Sequence, residues 1–100
     1  MTMSTPAIQI DVEDRVARVT LNRPDTFNAV GGEMHKALSR VFVDLGERRD
    51  LSAIILTGAG RAFCAGGDIE WMRQAIRGPE GFGVVTWEAK RIVYPMLDCE

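Results

Sequence analysis

Between residues 53 and 77 the chain passes from an unbroken apolar stretch through a glycine-rich loop into a helical repeat, the order of a strand–loop–helix junction in an α/β fold. Ala53-Ile54-Ile55-Leu56-Thr57 is rich in β-branched residues, as expected for a strand covered on both faces. Gly58-Ala59-Gly60 breaks it. Arg61-Ala62-Phe63-Cys64-Ala65-Gly66-Gly67-Asp68-Ile69 follows, and Ile69, Met72 and Ile76 then recur at helical spacing. A glycine pair at such a junction lets backbone N–H groups approach a ligand unshielded, at the positive end of a helix. That geometry suits a negatively charged oxygen. Asp68, just before the stripe, is predicted as its N-cap. Taken alone, the same residues also describe a tight turn leading into a capped helix.

The flanking segments predict an α/β fold. Ile8, Ile10 and Val12 alternate with polar residues, and Glu13-Asp14-Arg15 makes a turn into a second strand over Val16–Leu21 with Ala17, Val19 and Leu21 on one face. The pair reads as an antiparallel hairpin. Asn22-Arg23-Pro24-Asp25 ends it, because proline lacks a donor. From about Gly32 the period changes: Met34, Leu38, Val41 with Phe42, and Leu45 form one apolar stripe of a surface helix closed by Gly46 and Glu47-Arg48-Arg49-Asp50. Strand, helix and strand make a βαβ unit. After the glycine loop a helix is expected up to Gly78-Pro79. A last one is expected from about Glu80 to Leu97, with Val84, Val85, Ala89, Ile92 and Val93 inward and Pro95 disturbing its end.

Composition narrows the function. Apolar residues make up 46% and charged residues 26% of 100, which describes a globular chain. The net charge of −2 offers no basic field for nucleic acid or an anionic membrane. No stretch is long and apolar enough to span a bilayer, and Met1–Pro6 lacks the marks of a signal peptide, so the expectation is a cytoplasmic protein. Cys64, Cys99 and the one histidine, His35, are not at metal-ligand spacing, so no metal site is expected.

Several motifs carry a family resemblance: Leu21-Asn22-Arg23-Pro24, Asn28-Ala29, Leu56-Thr57-Gly58, Gly60, and Phe63 to Ile69. In this order and spacing, from about Ile8 onward, the chain resembles the enoyl-CoA hydratase/isomerase (crotonase) family. The resemblance implies a crotonase-like ββα superhelix, of which residues 1–100 would be the N-terminal part of a single domain. It implies chemistry on acyl-CoA thioesters through an enolate, with coenzyme A as part of the substrate and no separate cofactor. Hydratase is the expected reaction, with isomerase or another crotonase-type lyase or hydrolase as the alternative. By position Gly67 would give the first oxyanion-hole N–H. Ala65, Gly66, Asp68 and Ile69 would line the path of coenzyme A, and Thr26, Phe27 and Asn28 would approach the ligand from the earlier loop. Family members often carry a basic residue where Asp25 and Glu70 stand here; Arg23 or Arg61 could compensate. The family's second oxyanion N–H and its catalytic carboxylates come from later segments, beyond Glu100. The chain alone is therefore expected to be inactive, and the complete protein to form homotrimers or hexamers.

Other residues receive structural readings. Glu80 and Glu88 are expected on a solvated helix face, His35 at the surface, Trp71 and Trp87 in core or interface, and Cys64 as a small buried side chain. A dinucleotide site built on Gly58-Ala59-Gly60 fails at Phe63, where a third glycine is required. A non-catalytic interaction module is the remaining alternative.

Overall fold

The computed structural model describes residues 5–77 and 83–98. The expected ends of the last two helices at Gly78-Pro79 and Glu80, together with Cys99, lie outside the described residues. Strands β1 (Ile8–Glu13) and β2 (Val16–Leu21) pair antiparallel in register Ile8↔Leu21 through Glu13↔Val16. Asp14 and Arg15 turn between them with positive φ. A 3-10 turn at Pro24–Thr26 follows, then helix α1 (Gly32–Gly46) and strand β3 (Ala53–Gly58). β3 returns parallel to β2, Val16↔Ala53 through Leu21↔Gly58, so the sheet order is β1-β2-β3 and the βαβ unit is present. Helices α2 (Ile69–Arg77) and α3 (Gly83–Asp98) complete the described chain.

The pairing register sorts side chains onto two faces. Cross-strand partners Val19↔Leu56, Ala17↔Ile54 and Ile8↔Leu21 all fall on the face that meets α1. There Ala17, Val19, Leu21 and Ile8 join Met34, Leu38, Val41, Phe42 and Leu45 in one buried core, with Ile54 and Leu56 packed against it. The helical stripe anticipated from the 3.6-residue period is thus the stripe that is buried. α3 packs along α1, and Ile92 reaches the same core.

Three expectations need correction. β3 is covered on one face among the described residues, not two: it is the sheet's edge, and Ile55 is 40% exposed. An unbroken apolar run cannot by itself tell a doubly covered strand from an edge strand with one bare side. Burial along β1 also fades, from Ile8 through half-buried Ile10 to exposed Val12. On α3 the expected inward face holds only in part: Ala89 and Ile92 are half-buried as expected, but Val84 and Val93 are exposed, and Glu88, expected in solvent, is buried. Pro95 lies within the helix, which continues to Asp98.

The loop between α1 and β3 carries an exposed pair, in which Arg48 Nη2 donates to Asp50 Oδ2 at 2.5 Å. The guanidinium holds the Asp50 carboxyl below its ordinary range. Such solvated pairs contribute little to stability.

The core test is direct. Leu45→Ala removes a side chain that is 1% exposed. It should lower unfolding free energy by about 2–5 kcal/mol. Val12→Ala on the bare end of β1 should change it by no more than about 0.5 kcal/mol. Urea titration followed by circular dichroism measures both.

Candidate active site

Leu21 pairs with Gly58, so the loops that follow β2 and β3 emerge side by side at the carboxyl ends of two parallel strands. That is where open α/β sheets place ligands. The Ala59 N–H donates to the Leu21 carbonyl at 2.8 Å, starting the junction between them.

Asn28 continues it. Its side chain is fully buried, and its Oδ1 accepts from the Arg23 N–H at 2.7 Å. Its Nδ2 donates to the carbonyls of Ala59 at 3.0 Å and Ala62 at 2.8 Å. One amide therefore satisfies three backbone groups from both loops. Asn28 sits in the left-handed region at φ 57°, as does Phe27 at 53°, which asparagine tolerates better than most residues. Gly58 is required beneath it: a Cβ there would collide with the Phe63 and Ala62 carbonyls and lie 2.8 Å from the Asn28 amide nitrogen.

Val30 makes the second junction. Its N–H donates to the Gly66 carbonyl at 2.7 Å and its carbonyl accepts from the Asp68 N–H at 2.8 Å. This is a parallel bridge, Val30↔Gly67. Because Val30 bonds the residues on either side of Gly67, the Gly67 N–H and carbonyl point the other way. Among the described residues the Gly67 N–H has no hydrogen-bond partner, and Gly67 is exposed. Gly66, at φ 101°, takes the positive-φ conformation that turns the chain there, and its N–H lies 3.4 Å from Cys64 Sγ.

Asp68 caps α2 as expected. Its Oδ1 accepts from the Trp71 N–H at 2.9 Å, and its carbonyl accepts from the Met72 N–H at 3.0 Å. The open amide thus lies one residue before a capped helix N-terminus, where partial positive charge collects.

Of the eight candidate residues, Gly67, Gly66, Ala65 and Ile69 are exposed along the second loop, and Ile69 is 71% exposed. Thr26 and Phe27 are exposed on the first, the Thr26 hydroxyl donating to the Arg23 carbonyl at 3.2 Å. Asn28 and Asp68 differ in kind: their polar side-chain atoms are engaged by backbone, so they shape the loops from beneath. A pocket of about 330 Å³ lies elsewhere, among Phe42, Leu45, Leu51, Ile54, Leu56 and Met96 toward the amino end of β3, and has no part in this site. No group of three or more metal-ligating side chains occurs among the described residues.

Two residues expected at the surface are not there. His35 Nδ1 and Glu88 Oε1 are 2.8 Å apart with both side chains 11% exposed, and the His35 ring packs on Trp71. Trp71 is half-buried in this contact, whereas Trp87 is exposed with the Arg91 guanidinium 5.0 Å from its ring centroid. The spacing of Glu88 to Ile92, four residues, was the available signal for an inward carboxylate.

Comparison with known proteins adds an independent line. A family model described as enoyl-CoA hydratase/isomerase matches residues 16–93. The chain is 42% identical over 67 residues to a mevalonyl-coenzyme A hydratase of Beauveria bassiana, covering 66% of this chain and 24% of that one. It is 41% identical over 58 residues to a 1,2-epoxyphenylacetyl-CoA isomerase of Escherichia coli, covering 58% and 22%. A crystal structure of an enoyl-CoA hydratase/isomerase from Mycobacterium paratuberculosis superposes with a TM-score of 0.90 at 30% identity, covering 96% of this chain and 39% of that one. The chain spans about a quarter to a third of the length of the curated relatives it matches.

The loop architecture predicts where substitution hurts. Asn28→Ala leaves three backbone groups unpaired and should cost about 3 kcal/mol or more in a urea unfolding curve. Thr26→Ala, which removes one exposed hydroxyl, should cost less than about 1 kcal/mol.

Proposed function

The chain belongs to the enoyl-CoA hydratase/isomerase family, and from that membership we propose that its Gly67 N–H is one of two donors stabilising the enolate oxygen of an acyl-CoA thioester. The observation that carries the reading is the outward, unpartnered Gly67 amide beside the capped start of α2. Addition of water across the carbons next to a thioester places negative charge on the carbonyl oxygen before a proton reaches the α carbon. A fixed donor aimed at that oxygen lowers the barrier by about 3–4 kcal/mol. A backbone amide does this without a titrating side chain. The exposed edges of Ala65, Gly66 and Ile69 then flank the thioester and the pantetheine arm, with Thr26 and Phe27 across from them. Coenzyme A enters only as part of the substrate.

Hydratase is the reaction assigned to the complete protein, with isomerisation the alternative; both chemistries occur among the relatives' names. The second donor and the carboxylates that move protons are assigned to sequence after Glu100. Glu88 is no substitute: its carboxylate faces His35 between helices. The same proposal includes trimeric or hexameric assembly and a cytoplasmic location. Exposed apolar side chains on α2 and α3, such as Ile76, Trp87, Tyr94 and Leu97, are costly to leave in water and call for cover by later sequence or by a second subunit.

Turnover of crotonyl-CoA by the complete protein is the test. Gly67→Pro deletes the N–H and should lower kcat at least about a hundredfold. Turnover equal to wild type in a folded Gly67→Pro protein would remove this amide from the mechanism. The 100-residue chain by itself should show no turnover.

A further inference from the structure

α2 is lightly anchored. None of its residues is buried, and among the described residues only Trp71 and Ala75 of this helix are half-buried. Its first turn nevertheless fixes the loop, since Asp68 is bonded to the Trp71 and Met72 amides on one side and to Val30 on the other. Whatever orients Trp71 therefore orients the peptide that follows Gly67.

Trp71 rests on two supports. Its indole covers the start of α1 so closely that a Cβ on Gly32 would lie 2.9 Å from Nε1. Its ring meets the His35 imidazole at 4.9 Å between centroids, inclined by 45°. The imidazole in turn is held by Glu88 at 2.8 Å. A hydrogen bond has direction that apolar packing lacks, so Glu88 fixes the plane of the His35 ring and thus the surface on which Trp71 lies. Stability alone does not call for this arrangement, because packed apolar side chains commonly replace a buried polar pair at no cost.

We infer that Glu88 and His35 are positioning residues for the Gly67 N–H, acting through Trp71 and Asp68; the inference rests on the reading of Gly67 as an oxyanion donor. The contacts run from α3 to α1, to the first turn of α2, and to the open amide. Small errors in donor placement have large kinetic effects, up to about a hundredfold for 1 Å.

The experiment uses the complete protein, with crotonyl-CoA kinetics, thermal melts and the Gly67 amide resonance in proton–nitrogen correlation spectra. Glu88→Ala and His35→Ala should each move that resonance and lower kcat about tenfold, with KM changed by less than about twofold. The double variant should be no worse than either single one. Glu88→Gln keeps an oxygen facing Nδ1 and should retain kcat within about threefold of wild type. His35→Phe with Glu88→Leu keeps volume without the hydrogen bond. A purely structural pair predicts wild-type kcat from it, whereas a positioning pair predicts the tenfold loss and the shifted resonance. If the alanine variants unfold, this apolar pair decides the question. An unmoved Gly67 resonance with kcat within twofold of wild type overturns the inference. If Gly67→Pro leaves turnover intact, the oxyanion reading falls, and the resonance alone decides whether the contacts from Glu88 reach Gly67.

Discussion

The side-chain amide of Asn28 holds together two loops that have no sheet or helix to bind them. Segments 22–31 and 59–68 leave the ends of β2 and β3 with backbone groups that the sheet no longer pairs. Unpaired groups under a folded surface are costly, so something must satisfy them. Asn28 does so for Arg23, Ala59 and Ala62 at once, using its acceptor and both donors. Aspartate would present a second oxygen to two carbonyls. Glutamine would carry the amide one carbon further. With that junction fixed, Val30 is placed to bracket Gly67, and the direction of the Gly67 amide follows from backbone geometry.

Much of this was legible because it depends on local pattern. The hairpin, the α1 stripe and the Asp68 cap each rest on periodicity or on one side chain meeting its own backbone, and each is present. What stayed hidden depends on contacts distant in sequence. Asn28 reads as a loop residue approaching a ligand, and two of its three partners lie thirty-one and thirty-four positions away. Glu88 reads as a solvated charge until α3 is placed against α1, where His35 waits 53 positions earlier in the chain. The expected inward set on α3, Val84, Val85, Ala89, Ile92 and Val93, spreads over several faces of the helix, and of these Ala89 and Ile92 are half-buried while Val84 and Val93 are exposed. Hydrophobicity ranked these faces; the hydrogen bond to His35 chose between them.

The structure also explains why the candidate site lies at one corner. Among the described residues the buried core lies between α1 and one face of a three-stranded sheet, and α3 packs closely along α1. α2 contributes no buried residue, and its role is to terminate the glycine loop with a capped first turn. Its apolar stripe, Ile69, Met72 and Ile76, lies open. The helix is thus free on its outer side and held at Trp71 against Gly32 and His35 of α1, an arrangement in which the preceding loop is anchored at its base and accessible at its rim.

A donor supplied by backbone suits a family whose members differ in reaction. Side-chain acids and bases must be matched to each proton transfer, whereas every enolate of a thioester carries its charge on the same oxygen. Under the proposed role of Gly67, one such loop would serve either reaction while the proton-transfer groups change. A hydratase and an isomerase both stand among the relatives of this chain. Constancy of this kind puts the demand on whatever fixes the loop. In this chain that is the buried amide of Asn28, the bracketing strand residue Val30, and the polar contact between helices that stands behind Trp71.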